Sequence, residues 1–172
     1  DMSLATMEVS YMKGLMDKPE EFTTLASFYL YKKNPAMSAK VLEKAITNED
    51  IDFDNTNAKL LADSWLFAKE RLKSLNVIGR SLNNDPEDAK LIKQYINIAF
   101  SAFEWDEVIN GVNKANEAGL KDDGKFALMK GIAYFEKNSI VNAKNSFIQA
   151  SNSEDYKDQG IAWLEYLEAL KG

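Results

Sequence analysis

The stretch GIAYFEKNSIVNAKNSFIQAS, residues 131–151, decides the fold. Its small and aromatic side chains stand at Gly131, Tyr134, Ala143, Phe147 and Ala150, in steps of 3, 9, 4 and 3. Two helices that fold back on each other need such alternation, because a small residue on one lets a ring on the other come close. The same register fits Ala26, Tyr29, Ser38, Leu42 and Ala45. It fits Ala62, Trp65, Ser74, Ile78 and Ser81, closed by Pro86. It fits more loosely at Ile96, Ala99, Val108, Val112 and Ala115, where the small and large positions of the first helix are exchanged. The first position of the unit therefore recurs at 26, 62, 96 and 131, at intervals of 36, 34 and 35 residues.

Helical spacing extends outward from these units in both directions. Leu25, Phe28 and Tyr29, and again Leu61, Ser64 and Trp65, follow the i, i+3, i+4 pattern of one buried helix face. Turn and capping chemistry breaks the pattern at 17–19, 34–35, 48–57, 83–86, 119–124 and 151–155. The breaks predict ten helices, over about 2–16, 20–32, 36–47, 56–70, 72–83, 87–102, 105–118, 124–137, 139–151 and 155–171. No segment carries the alternation of a strand, and three prolines and eight glycines leave little material for a turn-rich β fold.

Composition narrows the function classes. In 172 residues there is no histidine and no cysteine. That removes the commonest general base, the commonest metal ligand, the thiolate nucleophile and every disulfide. Against 27 carboxylates stand 21 lysines and arginines, a net charge of −6, which argues against binding a phosphate lattice. The basic residues divide evenly, 11 in residues 1–86 and 10 in 87–172, so the sequence shows no basic stripe. No apolar run reaches the roughly 18–20 residues that span a bilayer, and no signal peptide is visible. The reading is a helical, acidic, non-catalytic protein with no cofactor and no metal.

The repeat register resembles the tetratricopeptide repeat family, whose unit is expected every 34 residues or so. That resemblance implies an all-α fold: a right-handed α-solenoid of about four helical hairpins, at 20–47, 56–83, 87–118 and 124–151, forming a single superhelical domain over 1–172. Residues 1–17 then read as the second helix of a truncated hairpin, whose face of Leu4, Met7, Tyr11 and Leu15 lacks an upstream neighbour. Residues 155–171 read as a capping helix, covering the last hairpin with Trp163, Leu164, Leu167 and Leu170. The exchanged positions of the third hairpin, and Lys130 where leucine is usual, predict less regular packing or splaying there.

In this family the first helix of each hairpin lines a concave face. Its usual groove positions fall on Tyr31, on Lys59, Asp63 and Phe67, on Lys90, Lys93, Asn97 and Phe100, and on Lys125. Aromatic side chains supply contact area there and lysines meet acidic groups, so the expected ligand is a peptide or protein segment. Lys93 and Asn97 resemble half of a carboxylate clamp, but Met129 stands where a second asparagine would be needed. The plainer reading of each apolar member is packing against the second helices.

Two acidic segments carry plainer readings as well. The alternating carboxylates of 48–55 lack the glycine and terminal glutamate of a calcium loop, and read as a solvated turn in which Asn55 or a neighbour caps the next helix. Glu104, Asp106 and Glu107 stand at a helix start, where the macrodipole favours them.

The segments LASFYLYKKNPAMSAKVLEKAI (25–46), KLLADSWLFAKE (59–70), 131–151 and AWLEYLEAL (162–170) resemble a narrower group: the tetratricopeptide component encoded with TonB, ExbB and ExbD in some marine and related Gram-negative bacteria. The resemblance implies a periplasmic helper of TonB-dependent uptake. Its partners would be protein components of that system, with no nucleic acid and no direct membrane span. Two rival classes remain: a self-assembling structural module, dimeric through the N-terminal helix, and an enzyme using Asp, Glu, Lys, Ser or Tyr.

Overall fold

The computed structural model describes residues 4–121 and 124–170. Parts of the expected first and last segments, residues 2–3 and 171, lie outside them. The described residues form ten α-helices and no strand. They group into two compact units, residues 1–84 and 85–172. The first holds α1 (Leu4–Met12), α2 (Pro19–Tyr31), α3 (Pro35–Thr47), α4 (Asn55–Phe67) and α5 (Arg71–Asn84). The second holds α6 (Ala89–Ser101), α7 (Trp105–Glu117), α8 (Lys125–Glu136), α9 (Ile140–Ser151) and α10 (Lys157–Ala169). Within each unit, consecutive helices pack as successive hairpins.

Local chemistry starts the helices where the sequence places its breaks. Pro19 and Pro35 open α2 and α3, where the missing N–H has no helical partner to lose. Asp54 caps α4 by accepting from the Asn57 amide at 2.8 Å, so the cap is the neighbour of Asn55 rather than Asn55 itself. Asp88 caps α6 through the amides of Lys90 and Leu91.

The helices stop in a common way. After α2, α4, α6 and α8, the residues Lys33, Lys69, Phe103 and Asn138 adopt left-handed backbone, with φ of 58°, 64°, 61° and 57°. The next amide turns back to a carbonyl five residues earlier: Asn34 to Tyr29 at 2.8 Å, Glu70 to Trp65 at 2.9 Å, Glu104 to Ala99 at 3.0 Å, Ser139 to Tyr134 at 2.8 Å. These stops lie 36, 34 and 35 residues apart, the intervals of the sequence register. Gly14, Glu49 and Gly119 end α1, α3 and α7 similarly. The stops also shorten two expected helices. Gly14 holds α1 to Met12, and Lys69 holds α4 to Phe67 rather than residue 70.

In the first unit the core runs through Leu25, Ala26, Leu42, Leu61, Ala62 and Ile78, all at most 1% exposed. Serines tie it across helices. Ser38 of α3 hydrogen bonds Ser64 of α4 at 2.9 Å, and Ser64 donates to the Leu60 carbonyl. Ser74 of α5 donates to the Ala62 carbonyl at 2.8 Å, and Ser81 to Asn55 Oδ1 at 2.8 Å. These bonds fix the ends: the first turns of α3 and α5 lie with the last turn of α4. Met7 is buried and Tyr11 meets Phe22 edge-on at 6.4 Å, so that face of α1 packs on α2 instead of standing bare. Leu15, past the helix end, is exposed and takes no part; the open face of α1 carries Val9 and Met12.

The second unit centres on Phe147, which is fully buried and stacks on Trp163 at 5.0 Å with planes 9° apart. Gly131 makes the room, since a Cβ there would collide with the Phe147 ring. The splaying expected of the third hairpin does not occur. Ile96 and Ala99 are both completely buried, and α7 accommodates the large side chain with Gly111, where a Cβ would come within 2.7 Å of Ile96 Cγ1. The capping helix covers α9 with Trp163, Leu164 and Leu167, whereas Leu170 follows the helix and is exposed.

Candidate functional site

The nine expected groove residues occupy first helices, and none is buried core. Four belong to the first unit. Tyr31 ends α2 with 78% of its surface exposed, and Phe67 ends α4 at 67%. Lys59 is exposed and Asp63 half-buried, both on α4. Beside Tyr31, α1 and α2 enclose an open cleft of about 910 Å³. Leu4, Met7, Phe28 and Tyr31 give it an apolar lining, and Glu8, Glu20 and Glu21 supply carboxylates. The α1 wall of this cleft escapes a reading confined to first helices; the helical spacing of Leu4, Met7 and Tyr11 was the available signal. Burial and a hydrogen bond to Glu8 push the Tyr29 phenol up to about 12, which ties α2 to α1.

The other five belong to the second unit, and three of them come together. Lys125 of α8 donates to Asn97 Oδ1 of α6 at 2.9 Å, while Asn97 Nδ2 donates to the Lys93 carbonyl at 2.8 Å. Lys93 stands exposed one turn before Asn97, so a second lysine side chain starts from the same face as the amide that Lys125 holds. Lys90 is exposed at the start of α6. Phe100 meets Trp105 edge-on at 5.8 Å, and Trp105 also meets Phe103. As a clamp for a carboxylate the site is not built: both ends of the Asn97 amide have protein partners, and Met129 is buried.

A second aromatic group in this unit joins Phe135, a groove position of the fourth hairpin, to the capping helix. Phe135 of α8 meets Trp163 at 5.3 Å and Tyr166 at 5.8 Å, and Tyr166 is 48% exposed. The ladder from Phe147 through Trp163 to Tyr166 thus runs from core to surface.

Two further polar contacts tie helices of this unit together. Tyr95 donates to Glu107, and burial together with that carboxylate raises the phenol far above its usual range, so it stays protonated at neutral pH. Burial lowers the Lys130 amine, which donates to Asn113 at 2.6 Å. Among the described residues no group of three or more carboxylates gathers to hold a metal ion. No described helix is long and apolar enough to cross a membrane.

No family model matches the chain, and no curated protein matches it in sequence. Solved structures do. A double mutant of MamA from strain RS-1 aligns over 91% of this chain and 86% of its own, with a TM-score of 0.68 and 12% identity. MamA from residue 41 to its end, from Desulfovibrio magneticus RS-1, gives the same coverages with a TM-score of 0.66 and 11% identity. The C-terminal part of a TPR repeat-containing protein from Cytophaga hutchinsonii aligns over 98% of this chain and 65% of its own, with a TM-score of 0.65 and 13% identity. The chain has a tetratricopeptide-repeat fold. In tetratricopeptide terms, α2, α4, α6 and α8 are first helices and α3, α5, α7 and α9 are second helices. At these identities the likeness extends to the fold alone.

Proposed function

We propose that this tetratricopeptide-repeat protein is a non-catalytic scaffold that docks a protein segment on its first helices. The observation that carries the reading is the Lys93–Asn97–Lys125 group: two cations and an oriented amide, contributed by two first helices and presented at the surface. Such a group meets acidic side chains of a partner, and the neighbouring aromatic rings add contact area. The finer reading places the protein in the periplasm, assisting a TonB–ExbB–ExbD energy-transducing system. It is supported by the resemblance of segments 25–46, 59–70, 131–151 and 162–170 to the tetratricopeptide component of such systems.

The test is co-purification of TonB, ExbB or ExbD with the chain, compared with the double variant Lys93→Ala/Lys125→Ala. Wild-type recovery lost in a variant of unchanged helicity supports the site and the system. Equal recovery by both removes the site. Recovery of none of the three by either removes the TonB assignment.

The exposed apolar side chains of α1, Val9 and Met12, favour a second reading, self-association through that helix. Sedimentation across a range of concentrations separates the readings, since a concentration-independent monomer excludes strong self-assembly.

A further inference from the structure

Folding gathers charge that the sequence spreads out. In the first unit the α2–α3 and α4–α5 turns share one end, fixed by the Ser38–Ser64 and Ser74–Ala62 hydrogen bonds. That end presents Lys32 and Lys33 from one turn and Lys69 and Arg71 from the other, all exposed, with Glu70 the carboxylate among them. Three large apolar side chains stand between these cations: Tyr31, Phe67 and Leu72, exposed by 78%, 67% and 60%. Tyr31 and Phe67 are equivalent residues one repeat apart, as are Lys33 and Lys69. At the opposite end, the turns before α2 and α4 carry Asp17, Glu49, Asp50, Asp52 and Asp54 against Lys13 and Lys18, so carboxylates prevail there. The unit is thus electrically polar along its helices, although its chain as a whole is acidic.

We propose that this basic, aromatic end of the first unit lies against an anionic lipid bilayer. Three observations favour a bilayer over an acidic polypeptide. The apolar groups sit at helix ends beside turns, with most of their surface in solvent, as side chains entering a planar interface must be. Tyrosine and phenylalanine flanked by lysine suit the headgroup region, where the ring is buried and the ammonium reaches phosphate. The acidic far end orients the unit, because a negative surface attracts one end and repels the other. The contact is peripheral, since no described helix can cross the membrane. It goes beyond the docking function and uses no residue of the Lys93–Asn97–Lys125 group, so either reading can fail alone.

The experiment is co-sedimentation of the whole chain with phosphatidylcholine vesicles, with and without phosphatidylglycerol. Wild type is expected to sediment with the anionic vesicles alone and to be released by added salt. Replacing both cations in Lys33→Gln/Lys69→Gln is expected to weaken partitioning about twenty-five-fold, roughly fivefold for each lysine removed. Tyr31→Ser/Phe67→Ser should weaken it while leaving the salt dependence in place. Lys13→Gln, in the turn before α2 at the opposite end, should change nothing, and circular dichroism checks that every variant keeps its helicity. Failure of wild type to sediment, equal sedimentation with neutral vesicles, or undiminished binding by Lys33→Gln/Lys69→Gln overturns the proposal. Capture of poly-glutamate without any vesicle binding also overturns it, and assigns the edge to an acidic polypeptide.

Discussion

Where the second helix of each hairpin opens, the first unit carries Ser38 and Ser74, and the second unit carries Val108 and Ala143. At the first position of the hairpin, the first unit has Ala26 and Ala62, while the second has Ile96 and Gly131. All eight side chains or backbones are buried. The repeat therefore asks for a volume shared across two helices rather than for a residue type. Gly131 faces Phe147 and Gly111 faces Ile96, so a large side chain on one helix is matched by a missing one on the other. Serine serves in the first unit because each hydroxyl has a partner, and a satisfied buried hydroxyl avoids the desolvation cost of an orphaned one.

The largest effect belongs to the aromatic pair. Phe147→Ala should cost about 3–5 kcal/mol, because a fully buried ring is lost and Trp163 loses its stacking partner. Gly131→Ala should cost about 1–3 kcal/mol by overpacking. The double variant Gly131→Ala/Phe147→Leu recreates the alanine–leucine pair found at Ala26 and Leu42. It should lose less stability in urea unfolding than the single losses summed. Additive losses would break the idea of shared volume.

A smaller effect sharpens the polar half of the comparison. Ser38→Ala should cost about 1 kcal/mol, and adding Ser64→Ala should change that by no more than about 0.5 kcal/mol, since each hydroxyl matters chiefly as the other's partner. Equal independent losses would mean that the bonds to backbone carbonyls dominate.

The smallest effects depend on pH, and Lys130 of the second unit and Tyr29 of the first respond with opposite sign. Burial lowers the Lys130 amine below its ordinary 10.5, so the unfolded chain binds the extra proton and stability rises as pH approaches 10.5. Lys130→Leu should therefore compare with wild type most favourably at neutral pH, a difference that shrinks toward alkaline pH. In the first unit the Tyr29 phenol is raised to about 12, so its contribution is complete below 10.0 and lost as pH climbs through 12. Tyr29→Phe should remove that alkaline loss. Urea midpoints of wild type and both variants, from neutral to alkaline pH, measure the two slopes.

The hairpin register was legible in the sequence because small and aromatic residues keep a period that packing imposes. What hid was what two helices decide jointly. Ile96 looked misplaced until Gly111 stood against it. The end of α4 was hidden because its left-handed stop is a lysine, a residue that carries no turn signal, whereas Gly14 did offer one for the end of α1. The accessible first-helix faces could be read from register, and all nine expected residues are accessible to some degree. The hydrogen bond from Lys125 to Asn97 could not, since 28 residues of sequence separate the two. The basic end of the first unit was invisible for a related reason: counting charges along the chain averages over helices that reverse direction every 13 residues or so.

Five of the left-handed stops are Lys33, Glu49, Lys69, Phe103 and Asn138 rather than glycine. Each such residue carries backbone strain of about 1 kcal/mol, which the surrounding hairpin must hold in place. In return the side chain at the stop is not prescribed. A module recurring every 35 residues or so can vary at these corners, from lysine to phenylalanine to asparagine after its first helices, without losing its fold. The corners are where the repeats of this protein can acquire separate identities.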